Sequence, residues 1–332
     1  MSRRPLDRRE WIASAVAGCS ALVSLPARAA RGGAFPARAV RLVVPYSVGV
    51  GPDVVARSVA TPLAQRWRHP VLVDNKPGAA GIVAFADVRR TPPDGHTLFL
   101  ADSGTLAVNP LLHARLPYDP QRDLAPLTLL FRATFVLWVG GASRFRGIAE
   151  LLDTARRTSA AVSYASLGNG HPSQVAIETL AHAAGVRLLH VPFKDAGALF
   201  AAVASGEVDL TAFSVNSVAG LAASGRLRPL AVAARSRLVS HPQLPTLAEA
   251  GAPAVEMHPW AALVTVADTA PPVLQQLQRD IVAILESPDV RQRARDAGFE
   301  LTPSAPQAVL DRMHADAAQV APLVDEGRLV PV

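Results

Sequence analysis

The chain has 332 residues, 50% of them hydrophobic and 18% charged, with a formal charge of +6 at pH 7. Five arginines and two acidic residues fall within positions 1–29; without that segment the charge drops to +3 and no lysine or arginine run remains, which argues against nucleic acid as a partner. The single cysteine, Cys19, lies in the same segment, so the rest of the chain offers no disulfide and no cysteine metal site.

Arg3, Arg4, Arg8 and Arg9 precede an apolar run over 11–25, and Ala27-Arg28-Ala29 is a small-x-small processing site. This reads as an export signal over 1–29, too short and wrongly flanked for a membrane span, with a mature N-terminus at or just after Ala30 in the periplasm. Arg8-Arg9-Glu10-Trp11-Ile12 fits the twin-arginine route and equally a general secretory signal with a basic start. Val16-Ala17-Gly18-Cys19 resembles a lipoprotein box, but the apolar run continues past it. About 300 residues remain, enough for two domains.

Leu42-Val43-Val44 is an apolar run halted by Pro45, as in a buried strand. A small-residue turn follows, and Asp53 is expected to N-cap a helix carrying Val55, Val59 and Leu63. Pro62 should kink or shorten that helix. A strand, tight turn and helix N-terminus present unpaired N–H groups and about half a unit of positive charge, so an anion can bind there without a cationic side chain. Strands are expected over 71–73 and 97–101 around a helix at 82–89, an alternation that implies a parallel sheet. Runs at 127–131 and 134–139 read as strands at a change of layer. Beyond them come helices over 148–157, 198–204, 271–285 and 306–326, with strands at 162–165, 188–191, 208–212, 230–233 and 263–266. The expected domains are 30–131 plus 255–332, and an inserted 132–254.

The stretch Ser166-Leu167-Gly168-Asn169-Gly170-His171-Pro172-Ser173 repeats the logic of the first turn: strand, glycines and hydroxyls, helix N-terminus. Ligands of open α/β sheets bind beyond the carboxyl ends of strands. Two such loops facing each other would wall one cleft suited to a small carboxylate. Enzyme readings fare worse. Asp102-Ser103-Gly104 is no nucleophile elbow, and Val54 stands where a dinucleotide fingerprint needs glycine. The nine histidines fall in no metal-ligand spacing and read as surface or satisfied groups, with His171 set apart by its place in a candidate ligand loop. An exported hydrolase using Ser103 or Ser166 would need a base that no local pattern supplies. No catalytic residue, metal or cofactor is expected.

Taken in order, Arg41-Leu42-Val43-Val44-Pro45-Tyr46, Asn75-Lys76-Pro77-Gly78-Ala79, Pro93-Asp94-Gly95-His96-Thr97-Leu98, Tyr164-Ala165-Ser166-x-Gly168-Asn169-Gly170, His190-Val191-Pro192-Phe193-Lys194 and Leu244-Pro245-Thr246-Leu247-Ala248-Glu249-Ala250-Gly251 resemble the Bug family, the periplasmic solute receptors of tripartite tricarboxylate transporters. The resemblance implies a two-domain α/β fold of the Venus-flytrap type and a small carboxylate ligand. It implies a monomer that partners the membrane subunits of the transporter; a receptor feeding a sensor kinase would look the same. It also implies that main-chain amides and hydroxyls of two loops hold the ligand: Tyr46, Ser47, Val48, Gly49 and Asp53 in the first, Ser166, Gly168, Asn169, Gly170 and Ser173 in the second. Ser103, Thr105, Phe193, Lys194 and Ser214 would be further walls. Val50, Asp195 and Phe213 depart from the family's pattern and favour an apolar or differently shaped pocket.

Overall fold

Val40, Leu42, Val43 and Val44 are all buried, and the strand they form, β1 (Val40–Val44), lies between β2 (Val71–Asn75) and β3 (Thr97–Asp102). The computed structural model describes residues 35–159 and 161–331. The export signal read at 1–29, Cys19 included, lies outside the described residues. The chain from Pro36 onward is one compact unit that holds two sheets.

The first sheet adds β4 (Leu124–Arg132), β10 (Trp260–Val266) and β11 (Glu300–Leu301) in the order β11–β4–β10–β3–β1–β2. β1 pairs in parallel with β2 and β3, whereas β10 is antiparallel to both β3 and β4. The three strands of the opening alternation are thus parallel as expected, and the sheet as a whole is mixed because β4, β10 and β11 pair antiparallel. The chain leaves β4 for the second sheet and comes back at the same end, so β10 has to run the opposite way. All seven β10 residues are buried, as expected of a central strand covered on both faces. The second sheet comprises β5 (Val136–Gly140), β6 (Ser163–Ser166), β7 (Leu189–Pro192), β8 (Leu210–Phe213) and β9 (Leu227–Val232), ordered β7–β6–β8–β5–β9. The outgoing and returning segments between the sheets are joined by hydrogen bonds: Ala133 N donates to Pro259 O at 2.8 Å and Phe135 N to Met257 O at 3.1 Å.

Helix α1 (Gly51–Trp67) follows β1 and α2 (Ile82–Val88) follows β2. α1 is not shortened at Pro62; it continues to Trp67 and ends at Arg68, whose φ is 55°. Buried Val55, Val59 and Leu63 hold it on the sheet and outweigh the one hydrogen bond that proline removes. Short turns α3 (Asn109–Leu112) and α4 (Pro120–Asp123) lead into β4. α5 (Ile148–Arg157) buries Ile148, Leu151, Leu152 and Ala155, one stripe of a 3.6-residue period. α6 (Pro172–Ala183), α7 (Ala196–Ser205) and α8 (Ala219–Ala223) complete the second series. α9 (Pro271–Leu285), α10 (Pro288–Asp296) and α11 (Pro306–Asp325) return to the first. α10 was not expected: of its nine residues only Val290 and Ala294 are buried, too few for a periodic signal. The segment after α11 reaches the elements of the second sheet, where Arg328 Nη1 donates to Val186 O at 2.9 Å. No helix among the described residues is long and apolar enough to cross a membrane.

Candidate functional site

The first loop, 46–50, joins β1 to α1. Asp53 is not the N-cap of α1; that position is Val50, which makes no side-chain cap. Asp53 instead stands in the first helical turn, 1% exposed, and reaches back. Its carboxylate accepts from Gly49 N at 2.8 Å, Asn75 Nδ2 at 2.8 Å and Arg57 Nε at 3.0 Å. Asn75 Nδ2 also donates to Tyr46 O at 2.9 Å, so one amide ties down the loop's start and the carboxylate that holds its end. Burial pushes the Asp53 carboxyl up, but the bonds from Arg57, the Gly49 amide and Asn75 outweigh it and hold it below the ordinary carboxylate range. Ser47, Val48 and Gly49 form the exposed tip, Gly49 at φ 84°. Gly51 is confined for another reason: a Cβ there would meet the Phe299 ring at 2.5 Å.

At the end of β3, Asp102 accepts from the Tyr46 hydroxyl, from Thr105 N at 2.7 Å and from Thr105 Oγ1 at 2.8 Å. Burial first, and then Asp102, push the Tyr46 hydroxyl far above its usual range, so it stays a neutral donor. Ser103 and Thr105 are both buried. Gly104 brings the two halves into touch, since a Cβ on it would lie 3.2 Å from Gly170 O, in the second loop. The loops after β3 and β6 therefore meet.

In the second loop, 167–171, His171 caps α6 by accepting from Ser173 N at 3.2 Å, with Ser173 Oγ 2.8 Å from the same Nδ1. Burial pushes the His171 imidazole down to about 4, against the pull of the Asp102 charge. Ser166 is fully buried, its Oγ 2.6 Å from His190 Nε2 on β7. Gly168 and Gly170 adopt φ of 106° and 76°, a region open to glycine at no steric cost. Asn169 Nδ2 donates to Val330 O at 2.8 Å, so this side chain is engaged by the segment after α11.

The remaining predicted walls divide. Ser214, buried after β8, bonds Ser217 at 2.8 Å, and Asn216 Nδ2 beside it donates to Asp296 O at 2.5 Å, a link back to α10. Phe193 is half-buried against the core of the second sheet, its N donating to Ser166 O at 2.8 Å. Lys194 is exposed. Asp195 caps α7 by accepting from Ala198 N at 2.9 Å, which accounts for its departure from glycine. Phe213 packs on Phe135 and Phe200 and lies 6.3 Å from the His171 ring. An open cleft of about 610 Å³ separates the first loop from the β8 loop, lined by Gly49, Gly51, Arg57, Asn216, Ser217 and Arg293 among others. Sequence reasoning missed Asp102, Arg57, Asn75, Asn216 and Arg293. Arg57 was accessible, being four residues from Asp53 on one helix face; Arg293 belongs to the unforeseen α10. No group of three or more His, Cys, Asp or Glu that could hold a metal occurs among the described residues.

Residues 55–329 match the family described as the tripartite tricarboxylate transporter family receptor. The chain belongs to this family. It is 33% identical over 310 residues to the UPF0065 protein in the tcbD–tcbE intergenic region of Pseudomonas sp. (strain P51), covering 93% of this chain and 92% of that one. Among solved structures, R. palustris Rpa4515 with adipate superposes with a TM-score of 0.83 at 28% identity, over 90% of this chain and all of that one. MatC from Rhodopseudomonas palustris with bound malate gives 0.79 at 27%, over 87% of this chain and all of that one. The transporter-receptor chain thus has the mixed α/β, two-sheet architecture of periplasmic binding proteins, and its role is that of a solute-binding receptor.

Proposed function

We propose that this receptor captures a small carboxylate between two lobes, residues 30–131 with 255–332 and residues 132–254, and hands it to the membrane subunits of a tripartite tricarboxylate transporter in the periplasm. The observation that carries the reading is the approach of the β3 and β6 loops, Gly104 against Gly170, at the N-terminus of α6, whose Pro172 Cδ would lie 3.6 Å from a Cβ on Gly104. Adipate and malate in the two related receptors support an acid of that kind. The proposed contacts are Tyr46, Ser47, Val48, Gly49, Ser103, Thr105, Ser166, Gly168, Asn169, Gly170, Ser173 and Ser214. All of them are neutral groups, which avoids the ordering cost of long cationic side chains. Asp53 supports its loop and does not touch a carboxylate. Phe193 and Lys194 form the outer wall.

A thermal-shift screen of the processed protein against malate, adipate and other small mono- and dicarboxylates tests the reading. A ligand at 100 times its Kd adds about 2.7 kcal/mol of stability, a clear rise in melting temperature. A flat response to every acid, with a response to amines or sugars instead, would sink it.

A further inference from the structure

The loop 167–171 is held by a circuit of side chains whose proton directions follow from one backbone group. Gly170 N–H can only donate, and its partner at 2.7 Å is therefore the carbonyl oxygen of Gln174. That assigns the Gln174 NH₂ to the other side, 3.2 Å from His190 Nδ1. An NH₂ group only donates, so Nδ1 accepts and carries no proton. The proton of the neutral ring sits on Nε2, which donates to Ser166 Oγ across 2.6 Å. Ser166 also accepts from Gly168 N at 3.2 Å and has its own proton left for Gly168 O at 3.1 Å. Both acceptor sites and the one donor of the hydroxyl are then filled.

Two consequences follow. Although the Ser166–His190 distance looks like a nucleophile and its base, Nε2 has no lone pair to take the serine proton. Moreover the circuit starts and ends on the loop itself: it anchors Gly170 by its N–H and Gly168 by both its N–H and its carbonyl. These are the two glycines at positive φ. The residue between them, Asn169, has no partner for its N–H among the described residues. The ring is kept in place by neutral neighbours, with Tyr164 stacked on it at 5.0 Å and 22°. The Tyr164 hydroxyl in turn donates to Glu178 at 2.6 Å.

We propose that His190, held by Gln174 as the Nε2–H tautomer, is the positioning residue of the second ligand loop, fixing Gly168 and Gly170 so that the Asn169 amide is presented for a ligand anion. The assignment rests on the carboxylate-binding reading above, but its first test needs no ligand. Imidazole ¹⁵N NMR of the processed protein should show His190 as the Nε2–H tautomer at neutral pH; an Nδ1–H ring would overturn the proposal outright. In His190→Phe, which keeps a flat ring under Tyr164 and removes both hydrogen bonds, amide exchange at Gly168 and Gly170 should quicken by about tenfold, the scale of one lost hydrogen bond. His190→Gln, whose amide can accept from Gln174 and donate to Ser166, should restore protection. Unchanged exchange in His190→Phe, or failure of His190→Gln to restore it in a protein that melts normally, would refute the positioning role. Calorimetry with malate and adipate then reads affinity, expected to fall by about tenfold in His190→Phe and to recover in His190→Gln. If the wild type binds no acid at all, the functional reading fails while the tautomer and exchange results still decide the circuit. If His190→Phe fails to fold, the wild-type tautomer and His190→Gln still decide it.

Discussion

The two strand-to-helix loops look alike in sequence and are held in opposite ways. The first is tied by a charge: buried Asp53 gathers Gly49, Asn75 and Arg57 around one carboxylate, while the tip at Val48 stays 70% exposed. The second is tied by neutral groups, with Gln174, His190 and Ser166 passing one hydrogen-bond direction along, and its Gly170 lies against Leu112 and Asn109 of the first sheet's half. A single ionised group is indifferent to proton placement above its pKa. A neutral circuit depends on every proton being in its place, and adding one to an imidazole breaks it. The same backbone motif thus carries two different sensitivities.

The largest difference is expected from glycine substitutions. Gly170→Val places a Cβ 3.0 Å from Leu112 Cδ1 at a φ of 76°, and should cost about 2–3 kcal/mol of stability and abolish ligand binding. Gly49→Val, at φ 84° with open space around it, should cost only the backbone term of about 1–2 kcal/mol. Denaturant unfolding of the pair measures this, and equal losses would erase the distinction between a packed loop and a free one.

Next comes Asp53→Ala, which leaves the Gly49 amide without its partner and takes one acceptor each from Asn75 and Arg57. A loss of about 1–3 kcal/mol is expected in the same unfolding assay. The Gln174–His190–Ser166 circuit shares no residue with the Asp53 cluster, so protection of the Gly168 and Gly170 amides should be unaffected; loss of protection in both loops would show that they are not held independently.

Acid should separate the loops more gently. His190 and His171 are each pushed by burial from the ordinary 6.5 down to about 4, so the unfolded chain takes up protons first. The stability they contribute is full above about pH 6.5 and is lost as pH falls toward 4. Asp53 is held below its ordinary 3.8, so its contribution is full above that value and is lost only at lower pH. Amide exchange followed down the pH scale should show the second loop loosening first. The reverse order would contradict both assignments. The smallest effect is expected at Lys194, an exposed cation: Lys194→Ala should weaken carboxylate binding by about fivefold or less in calorimetry. Abolished binding there would mean that charge, not the backbone, grips the ligand.

Much of the architecture was legible because burial leaves a one-dimensional trace. The apolar runs around Leu42, Phe99, Trp138 and Leu210 and the stripe Ile148, Leu151, Leu152 and Ala155 mark their strands and helix by periodicity alone. Helices starting at Pro271 and Pro306 were marked by proline at their first turn. The two loops were legible too, since glycine and hydroxyl residues beside a strand end have few other uses.

Other features had no such trace. The antiparallel course of β10 depends on the end at which the chain re-enters the first sheet, and no local pattern records direction. α10 buries only two of its side chains, so its signal stays below that of a solvated stretch. Asp53 has the chemistry of an N-cap, and only the placement of Val50 and Gly49 moved it into the first turn. His190 stands in a motif 24 residues from Ser166 and 16 from Gln174. Parallel pairing of β6 and β7, with Tyr164 opposite His190, is what brings the three within hydrogen-bond distance. Sequence by itself determined the elements and the residue types at their ends, because propensity and periodicity act over a few neighbours. Tertiary structure decided partners, tautomer and strand direction, because a hydrogen bond is settled by distance in space, whatever the separation along the chain.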